Sequence, residues 1–493
     1  MISKGAVSVL LLSSAMVVWM GDAKTYKLTP DDSIQEALKK VDPGDTIKLK
    51  AGSYWESFET KTDGKEDDPI TIEGPDDTDP DDRKTQAIIR GDDSTNRVFQ
   101  VFHSYYTIKD LTFDGKVGDT ASTYRDKLLY VEGNKHKPDY VETDFQDEEI
   151  LSSINGLVIT NNIFKHAGGE CVRLRYFVTN TDFSYNHVTD CGIEAYVLNP
   201  DSGSKNGEGI YIGTSSNQWK DNRDDGPDES NFNHVHHNYF DTMGNECVDI
   251  KEGASYNLIE KNECGGQLDD DSGGINIRGD YNTIRYNSVK KCQGAGVRIG
   301  GNEVDGETYG HFNRVYKNDL KKNEVSGIKV MTKNQDLICD NDIMPTKDNN
   351  YKDIIGDYAD DYPRPEGSCP DEDGKVKVLK PKKGEKVEAG DKVKVKWEYE
   401  LPIGIDYPIQ PKDVYFTMDL HKCKDGDCGK DDCGDFYASI CDRKKGCYKN
   451  DPSRNIELPD DDDVKAGEYY VMKVGVVGYE DLYDCSRMFE ITD

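Results

Sequence analysis

The sequence predicts an all-β chain: a parallel β-helix, or solenoid, with a capping helix at its N-terminal end and a small β-sandwich after it. Three observations predict this. A phrase Asn-x-apolar-x-x-Asn recurs at Asn233/Asn238, Asn257/Asn262, Asn282/Asn287 and Asn313/Asn318, with looser copies ending at Asn162, Asn186 and Asn341. Each copy is followed by a second strand phrase: ECVRLR at 170–175, EGIYIG at 208–213, ECVDIK at 246–251, GGINIR at 273–278, AGVRIG at 295–300 and SGIKVM at 326–331. After Asn341 the pattern stops, and a different alternation begins near Val376. The phrase recurs every 23–25 residues, with one interval of 31 and one of 52 that must hold an insertion. Short strands split by Gly and Asn turns at this period are the signature of stacked coils. Propeller blades need four strands in ~40–50 residues, which the period excludes.

Taken in order, residues 1–23 read as a secretory signal, with Lys4, an apolar run from Ala6 to Met20, and small residues Gly21 and Ala23 at the cleavage positions. A polar start followed by Ile34, Ala37 and Leu38 predicts an amphipathic helix that caps the first coil and covers its open strand edge. Coils then run through DPITIEG, AIIRG and YYTIKDLTFDG, so the solenoid spans 24–345. An acidic, aperiodic stretch marks a linker at 346–374. VKVLKP, KVKVKWEYE, DVYFTMDL and EYYVMKVGVV then alternate as short antiparallel strands of a Cys-rich sandwich over 375–493.

Charge narrows the partners. The 62 Lys and Arg against 95 Asp and Glu leave a net −33, which repels nucleic acid and anionic lipid over the surface as a whole. No stretch after the signal is apolar enough to span a bilayer, and a monomer is the expected state. Of 13 Cys, the six from Cys423 to Cys485 are expected to be disulfide-bonded. The six between Cys171 and Cys339 fall at repeat positions and read as free buried thiols stacked in the core.

Alternation in the recurring strand phrase sends Val248 and Ile250 inward and Cys247, Asp249 and Lys251 to the other face. With coils ~4.8 Å apart, the outward positions form a ladder of Arg173, Arg175, Tyr211, Asp249, Lys251, Asn276, Arg278, Arg298 and Lys329. Six of these are basic and one acidic, opposite in sign to the chain, which suits a track for an anionic linear polymer; a solvated face is the plainer alternative. Beside the ladder, Glu170, Glu208 and Glu246 stack at coil spacing and need something positive between them. A Ca²⁺ held by Glu208, Glu246, Asp249 and Asp271 would serve, and so would bonds to turn amides. Lys251 is the candidate base, because Arg278 one coil away should lower its pKa. Such a base suits β-elimination in a uronate polymer. The HVHH run at 234–237 reads as ordinary strand and turn residues, since no Cys/His partner pattern follows it.

The coil phrases over about 25–345 resemble the right-handed parallel β-helix superfamily of secreted pectin-lyase-like proteins. Glu246-x4-Lys251 with Arg278-Gly-Asp280 in the next coil is similar to the chondroitinase-B/alginate-lyase family. That resemblance implies Lys251 as base, Arg278 as partner acid or charge stabiliser, and Glu246 as a calcium ligand. Pro381, Gly384, Gly390, Val395-Lys396-Trp397 and the terminal Ser486 to Ile491 resemble the Ig-like domain of fungal cell-wall glucan-synthesis and GPI-anchored wall proteins, implying attachment to wall glucan. The expectation is a secreted, Ca²⁺-assisted lyase of an acidic polysaccharide. A non-catalytic wall or carbohydrate-binding protein is the alternative. A glycoside hydrolase is the weaker one, because the Gly-His-Gly motif that would accompany paired carboxylates does not occur.

Overall fold

The computed structural model describes residues 23–76, 85–92, 95–117, 123–133, 153–202, 205–221, 226–346, 351–367 and 369, and in the C-terminal unit 375–388, 392–400, 416–423, 435–439, 453–457, 469–476, 479–486 and 489–492. The signal expected at 1–23 therefore falls almost wholly outside the described residues.

Three long parallel sheets form the solenoid. Sheet 1 has eleven strands, from Thr25–Leu28 to Leu337–Cys339. Sheet 2 has ten, from Gly52–Tyr54 to Asp342–Met344, and sheet 3 has ten, from Phe58–Glu59 to Lys352–Ile355. Each coil runs from sheet 1 to sheet 2 to sheet 3, and every neighbour in a sheet comes from an adjacent coil. The inward apolar positions stack into one core, whose rings Phe58, Phe99, Phe113, Phe164, Phe183 and Phe240 follow one another at centroid separations of 4.5–6.4 Å.

The recurring asparagines hold two of the corners. Between sheets 1 and 2, the backbone N–H groups of Asn162, Asn186, Asn238, Asn262, Asn287 and Asn318 each donate to the side-chain oxygen of the next coil's Asn at 2.8–3.2 Å. Their amide nitrogens donate to strand carbonyls such as Phe183 O and Val235 O. A second ladder, Asn233, Asn257, Asn282 and Asn313, turns the chain into sheet 1 and ends on Gln335. The residue before each of these asparagines is left-handed, among them Tyr185, His237, Lys261, Phe232, Tyr256 and Phe312 at φ 53–60°. Non-glycine residues avoid that region. The amide ladders supply the hydrogen bonds that hold it, since the backbone N–H of each of these ladder asparagines finds a side-chain oxygen of the next coil.

At the N-terminal end, Ser33 caps the helix Ile34–Leu38 by accepting from Glu36 N at 3.1 Å, and Ile34, Ala37 and Leu38 are buried. The Glu56 carboxylate ties the helix down, accepting from Ser33 Oγ at 2.6 Å and Ile34 N at 2.7 Å.

Two expectations need correction. The segment 346–374 is not all linker: Lys352–Ile355 adds the last strand of sheet 3, and Tyr351, Ile354, Tyr358 and Tyr362 pack on the solenoid core. The solenoid cysteines are not free thiols either. Cys171–Cys191, Cys247–Cys264 and Cys339–Cys369 are disulfides, leaving Cys292 as the buried free cysteine among the described residues. The first two bridge adjacent coils, because a residue entering sheet 3 and one in or just after sheet 2 of the next coil meet inside the core. Cys247 accordingly faces inward, against the alternation expected of it, since the strand proper begins only at Val248.

The C-terminal unit forms a three-stranded sheet (Lys375–Lys380, Lys392–Glu400, Ser453–Glu457) and a six-stranded sheet centred on Tyr469–Val476. Val393, Val395, Trp397, Leu420, Tyr470, Met472 and Phe489 are buried in it. Cys423 is disulfide-bonded, whereas Cys428, Cys433, Cys441 and Cys447 lie outside the described residues. Among the described residues no helix is long and apolar enough to cross a membrane.

Candidate active site

Strand register assembles the site on the outer face of sheet 3. Tyr130, Arg173, Tyr211, Asp249, Asn276, Arg298 and Lys329 form one continuous row, each paired with the next. Two residues further along the chain, just past the strand ends, lie Lys251 and Arg278. The acidic loop Gln267–Asp271 leaves the register intact, since Ile250 pairs with Ile277.

The row is not a free basic stripe. Arg173 donates to Glu170 at 2.6 Å and lies 4.0 Å over the Tyr211 ring. Lys127 holds the other Glu170 oxygen at 2.6 Å. Lys251 Nζ sits 2.5 Å from Asp249 Oδ2 and 4.5 Å over the same Tyr211 ring, so the phenol lies between two cations. Asn276 donates to Asp249 Oδ1 at 2.9 Å, and Arg298 donates to Asn276 Oδ1 at 3.0 Å. Arg278 approaches Glu252 at 3.6 Å, Arg175 lies over Tyr176, and Lys329 donates to the Asp271 carbonyl at 2.9 Å. Strand alternation sets which residues point outward; long side chains then pair along the axis, which a reading of faces alone does not foresee.

Glu208, Glu246 and Asp249 converge, with ligand atoms within 4.8 Å of one another, and all three are buried. Gly207 N and Asn245 Nδ2 donate to Glu208 at 2.9 and 3.2 Å, and Ser272 Oγ donates to Glu246 Oε1. Glu246 Oε2 is buried with no hydrogen-bond partner among the described residues. Burial, then the charges of Glu170 and Asp249, push the Glu208 carboxyl up to about 7. Burial, Asp249 and Glu208 push Glu246 up to about 8. Three clustered carboxylates with one orphaned oxygen fit a hard divalent cation such as Ca²⁺, which takes several oxygen ligands. Glu170 stands apart, committed to Arg173 and Lys127. Asp271, expected as a ligand, belongs to a separate cluster with Asp269 and Asp270 beside Lys205, where its side chain is largely exposed.

The lowered pKa expected for Lys251 is not found. Burial and Arg278 do push it down, but the pull of Asp249, Tyr211 and Glu246 wins and the ammonium is held above its ordinary value. Arg278 is raised as well, by Asp249, Glu252 and Glu246 against its burial, so it is suited to balancing charge rather than to giving up a proton.

The 52-residue interval supplies walls on both flanks of this face. Ahead of the strand Ile210–Ile212, the helical turn Glu194–Leu198 carries Tyr196, whose hydroxyl donates to Asn245 Oδ1, and Lys205 reaches Asp269 at 2.5 Å. Behind it, the turn Ser216–Asp221 brings Gln218 to Arg173 at 3.4 Å, Ser216 N to Glu252 at 3.3 Å and Trp219 edge-on to Tyr309 at 5.2 Å. Sequence reading missed Lys127, Tyr130, Tyr196, Gln218, Asn245, Glu252 and Ser272. The length of that one interval was the signal that could have pointed to two of them, Tyr196 and Gln218.

No protein-family model matches the chain, and no curated protein matches it. Among solved structures the chain is similar to the alginate lyase from Paenibacillus sp. strain FPU-7, at 17% identity over 68% of this chain and 98% of that one, with a TM-score of 0.51. A rhamnogalacturonan lyase matches over 68% of this chain and 84% of its own at 12% identity and a TM-score of 0.41. The polygalacturonase from Erwinia carotovora ssp. carotovora matches over 68% and 94% at 12% identity and a TM-score of 0.37. The first of these likenesses shows the parallel β-helix fold.

Proposed function

We propose that the chain is an extracellular polysaccharide lyase that cleaves a uronate polymer by cation-assisted β-elimination on the outer face of sheet 3. The observation that carries this reading is the meeting, on one walled sheet face, of the buried carboxylates Glu208, Glu246 and Asp249 with the cations Lys251 and Arg278. The Paenibacillus structure, an alginate lyase by name, makes elimination the first chemistry to test.

The reaction removes the proton on the carbon next to the sugar carboxylate, breaks the bond to the glycosidic oxygen two atoms away, and leaves a carbon–carbon double bond and a protonated leaving oxygen. The carboxylate must be neutralised before that proton becomes acidic enough to leave. Arg278, at the strand end one coil beyond Lys251, would face it. Glu208, Glu246 and Asp249 would hold Ca²⁺, which supplies a Lewis-acid charge for the same purpose. Lys251 Nζ would take the proton and hand it on to the leaving oxygen, which balances the elimination. In the resting arrangement Asp249 keeps that nitrogen protonated, so Lys251 becomes a base only when the Asp249 charge is neutralised. Arg173, 8% exposed on its side chain and braced by Glu170, fixes Tyr211 as the floor beneath Lys251.

The locked Lys251–Asp249 pair also favours a second reading, a carbohydrate-binding protein that keeps the face without the turnover. In the C-terminal unit, Lys377, Lys382, Lys394 and Lys396 are exposed, which supports contact with an anionic wall polymer; binding to neutral glucan is the alternative partner for that unit.

The deciding experiment offers the purified chain polymannuronate, polyguluronate, polygalacturonate and chondroitin sulfate, with Ca²⁺ or with a chelator, and follows ultraviolet absorbance of the unsaturated uronate. A rise on one polymer that the chelator abolishes is the expected result. No rise on any of them, with polymer binding retained in a pull-down, gives the case to the binding protein.

A further inference from the structure

We infer that Asp182, His234 and His236, on the outer face of sheet 1, form a second metal site, one for a first-row transition-metal ion of the Zn²⁺ type, clamping two neighbouring coils across the long insertion. It is separate in place and in chemistry from the carboxylates of sheet 3. Asp182 pairs in register with His234 although 52 residues separate them in sequence. The two histidines occupy alternate positions of the strand His234–His236, so both imidazoles project from the same face, with ring centroids 4.0 Å apart. One ligand atom from each of the three residues lies within 4.8 Å of the others.

The distances suit a shared ion. His236 Nε2 lies 3.2 Å from Asp182 Oδ2. That is long for a charge-assisted hydrogen bond, which runs ~2.7–2.9 Å. It is close to the ~3.3 Å between two ligands of a tetrahedral ion bound at about 2.0–2.1 Å. His236 Nδ1 meets His237 Nδ1 at 2.7 Å. A proton on His236 Nδ1 shared with His237 leaves the Nε2 lone pair pointing at the Asp182 side, as an outer partner does for metal-bound histidine. Glu260 lies 3.2 Å from His234 Nε2, but Arg285 already holds its other oxygen at 2.7 Å, so it serves as a brace rather than a first ligand. Two imidazoles and one carboxylate are a donor set for Zn²⁺, with a water in the fourth position, and a poor one for Ca²⁺. All three side chains are partly exposed, at 27%, 14% and 42% for His234, His236 and Asp182, so an ion can enter.

The test titrates ZnCl₂ calorimetrically into the full chain with Ca²⁺ present in excess, which keeps the sheet 3 carboxylates occupied. One Zn²⁺ site per chain is expected, lost in His234→Gln/His236→Gln and weakened about 10- to 100-fold in His237→Gln, which acts only through His236. Co²⁺ in place of Zn²⁺ should give a visible absorption band that the double variant lacks. Thermal unfolding in chelator, unchanged by the substitutions, shows that the variants are folded; should the double variant fail to fold, Asp182→Asn carries the test. Wild-type protein that binds no Zn²⁺, or a site that survives the double variant or disappears with Glu246→Gln, overturns the proposal. Because the lyase assay reads sheet 3, its failure would leave this result unaffected.

Discussion

The asparagine corners and the outer face of sheet 3 are built on the same coil-to-coil spacing, yet one repeats a single residue and the other changes residue at every step. At the corners, Asn162 through Asn341 make the same two kinds of bond on each coil, because the task, closing a tight turn around buried amides, is the same. On sheet 3 the row runs Tyr130, Arg173, Tyr211, Asp249, Asn276, Arg298 and Lys329, and charges pair along the axis rather than with solvent. In a repeat fold the monotonous positions serve stability, and the varied ones are free to serve chemistry. The same contrast picks out sheet 1, where Asp182, His234 and His236 interrupt an otherwise mixed polar surface.

The largest effect that would sharpen this division is on turnover. Lys251→Ala should lower kcat per folded molecule by about 10²–10⁴-fold, the usual contribution of a positioned proton-transfer group, and should also lower thermal stability, because it leaves the buried Asp249 carboxylate unpaired. The substitution also frees Asp249, so Asp249→Asn in the same background separates loss of the base from an unpaired buried carboxylate. Turnover that survives Lys251→Ala would remove Lys251 from the mechanism.

A corner should behave in the opposite way. Asn262 gives its backbone N–H and its amide to Asn287 at 3.1 and 3.0 Å, bonds Val235 O at 2.9 Å, and accepts from Asn238. Asn262→Ala leaves several buried groups without partners, each costing roughly 1–3 kcal/mol. A loss of about 3 kcal/mol or more in denaturant unfolding is expected, with kcat per folded molecule unchanged. An equal loss of activity in the folded fraction would erase the division between the two regions.

Acidity separates them again. Glu208 and Glu246 are raised from an ordinary 4.5 to about 7 and about 8 by burial and by neighbouring carboxylates. The fold favours their protonated forms, so their contribution is complete below about pH 4.5 and lost as pH rises through 7 to 8. Protein in chelator should therefore lose stability across that window, by roughly 1.4 kcal/mol for each unit of raised pKa that persists. Ca²⁺ should restore it, and Glu246→Gln should flatten the profile. A flat profile for wild type in chelator would mean that the carboxylates are not mutually strained.

How much of this was legible follows from the same contrast. Period and turn chemistry exposed the coils, because Asn and Gly recur wherever the backbone needs them. The row on sheet 3 was legible as a set of residues, since alternation and register follow from the coil phrases. Its pairing was not. Whether Lys251 faces solvent or Asp249 depends on side-chain reach along the axis, which spacing does not encode, and so the sign of its pKa shift came out reversed. The cysteines failed for a related reason. Cys171 and Cys191 are 20 residues apart in a repeat of about 24, so they looked like two members of a stack, yet the curvature of the coil brings them together. His234 and His236 looked isolated because their partner, Asp182, lies on the far side of the insertion.

The smallest expected effect lies at the margin of the site and tests where it ends. Arg298 donates to Asn276 Oδ1 and to the Gly300 carbonyl at 2.7 Å, and burial and the nearby Arg278 push its pKa below the ordinary arginine value while it stays charged. It touches Asp249 only through Asn276. If the row is a substrate track with its reacting centre at Lys251, Arg298→Ala should raise KM several-fold through a lost charge contact worth about 1 kcal/mol, with kcat nearly unchanged. The change in KM should shrink at high salt, because a partly exposed charge is screened. A fall in kcat comparable to that of Lys251→Ala would instead move the reacting centre one coil toward Arg298, and with it the assignment of Arg278 as the charge that faces the substrate carboxylate.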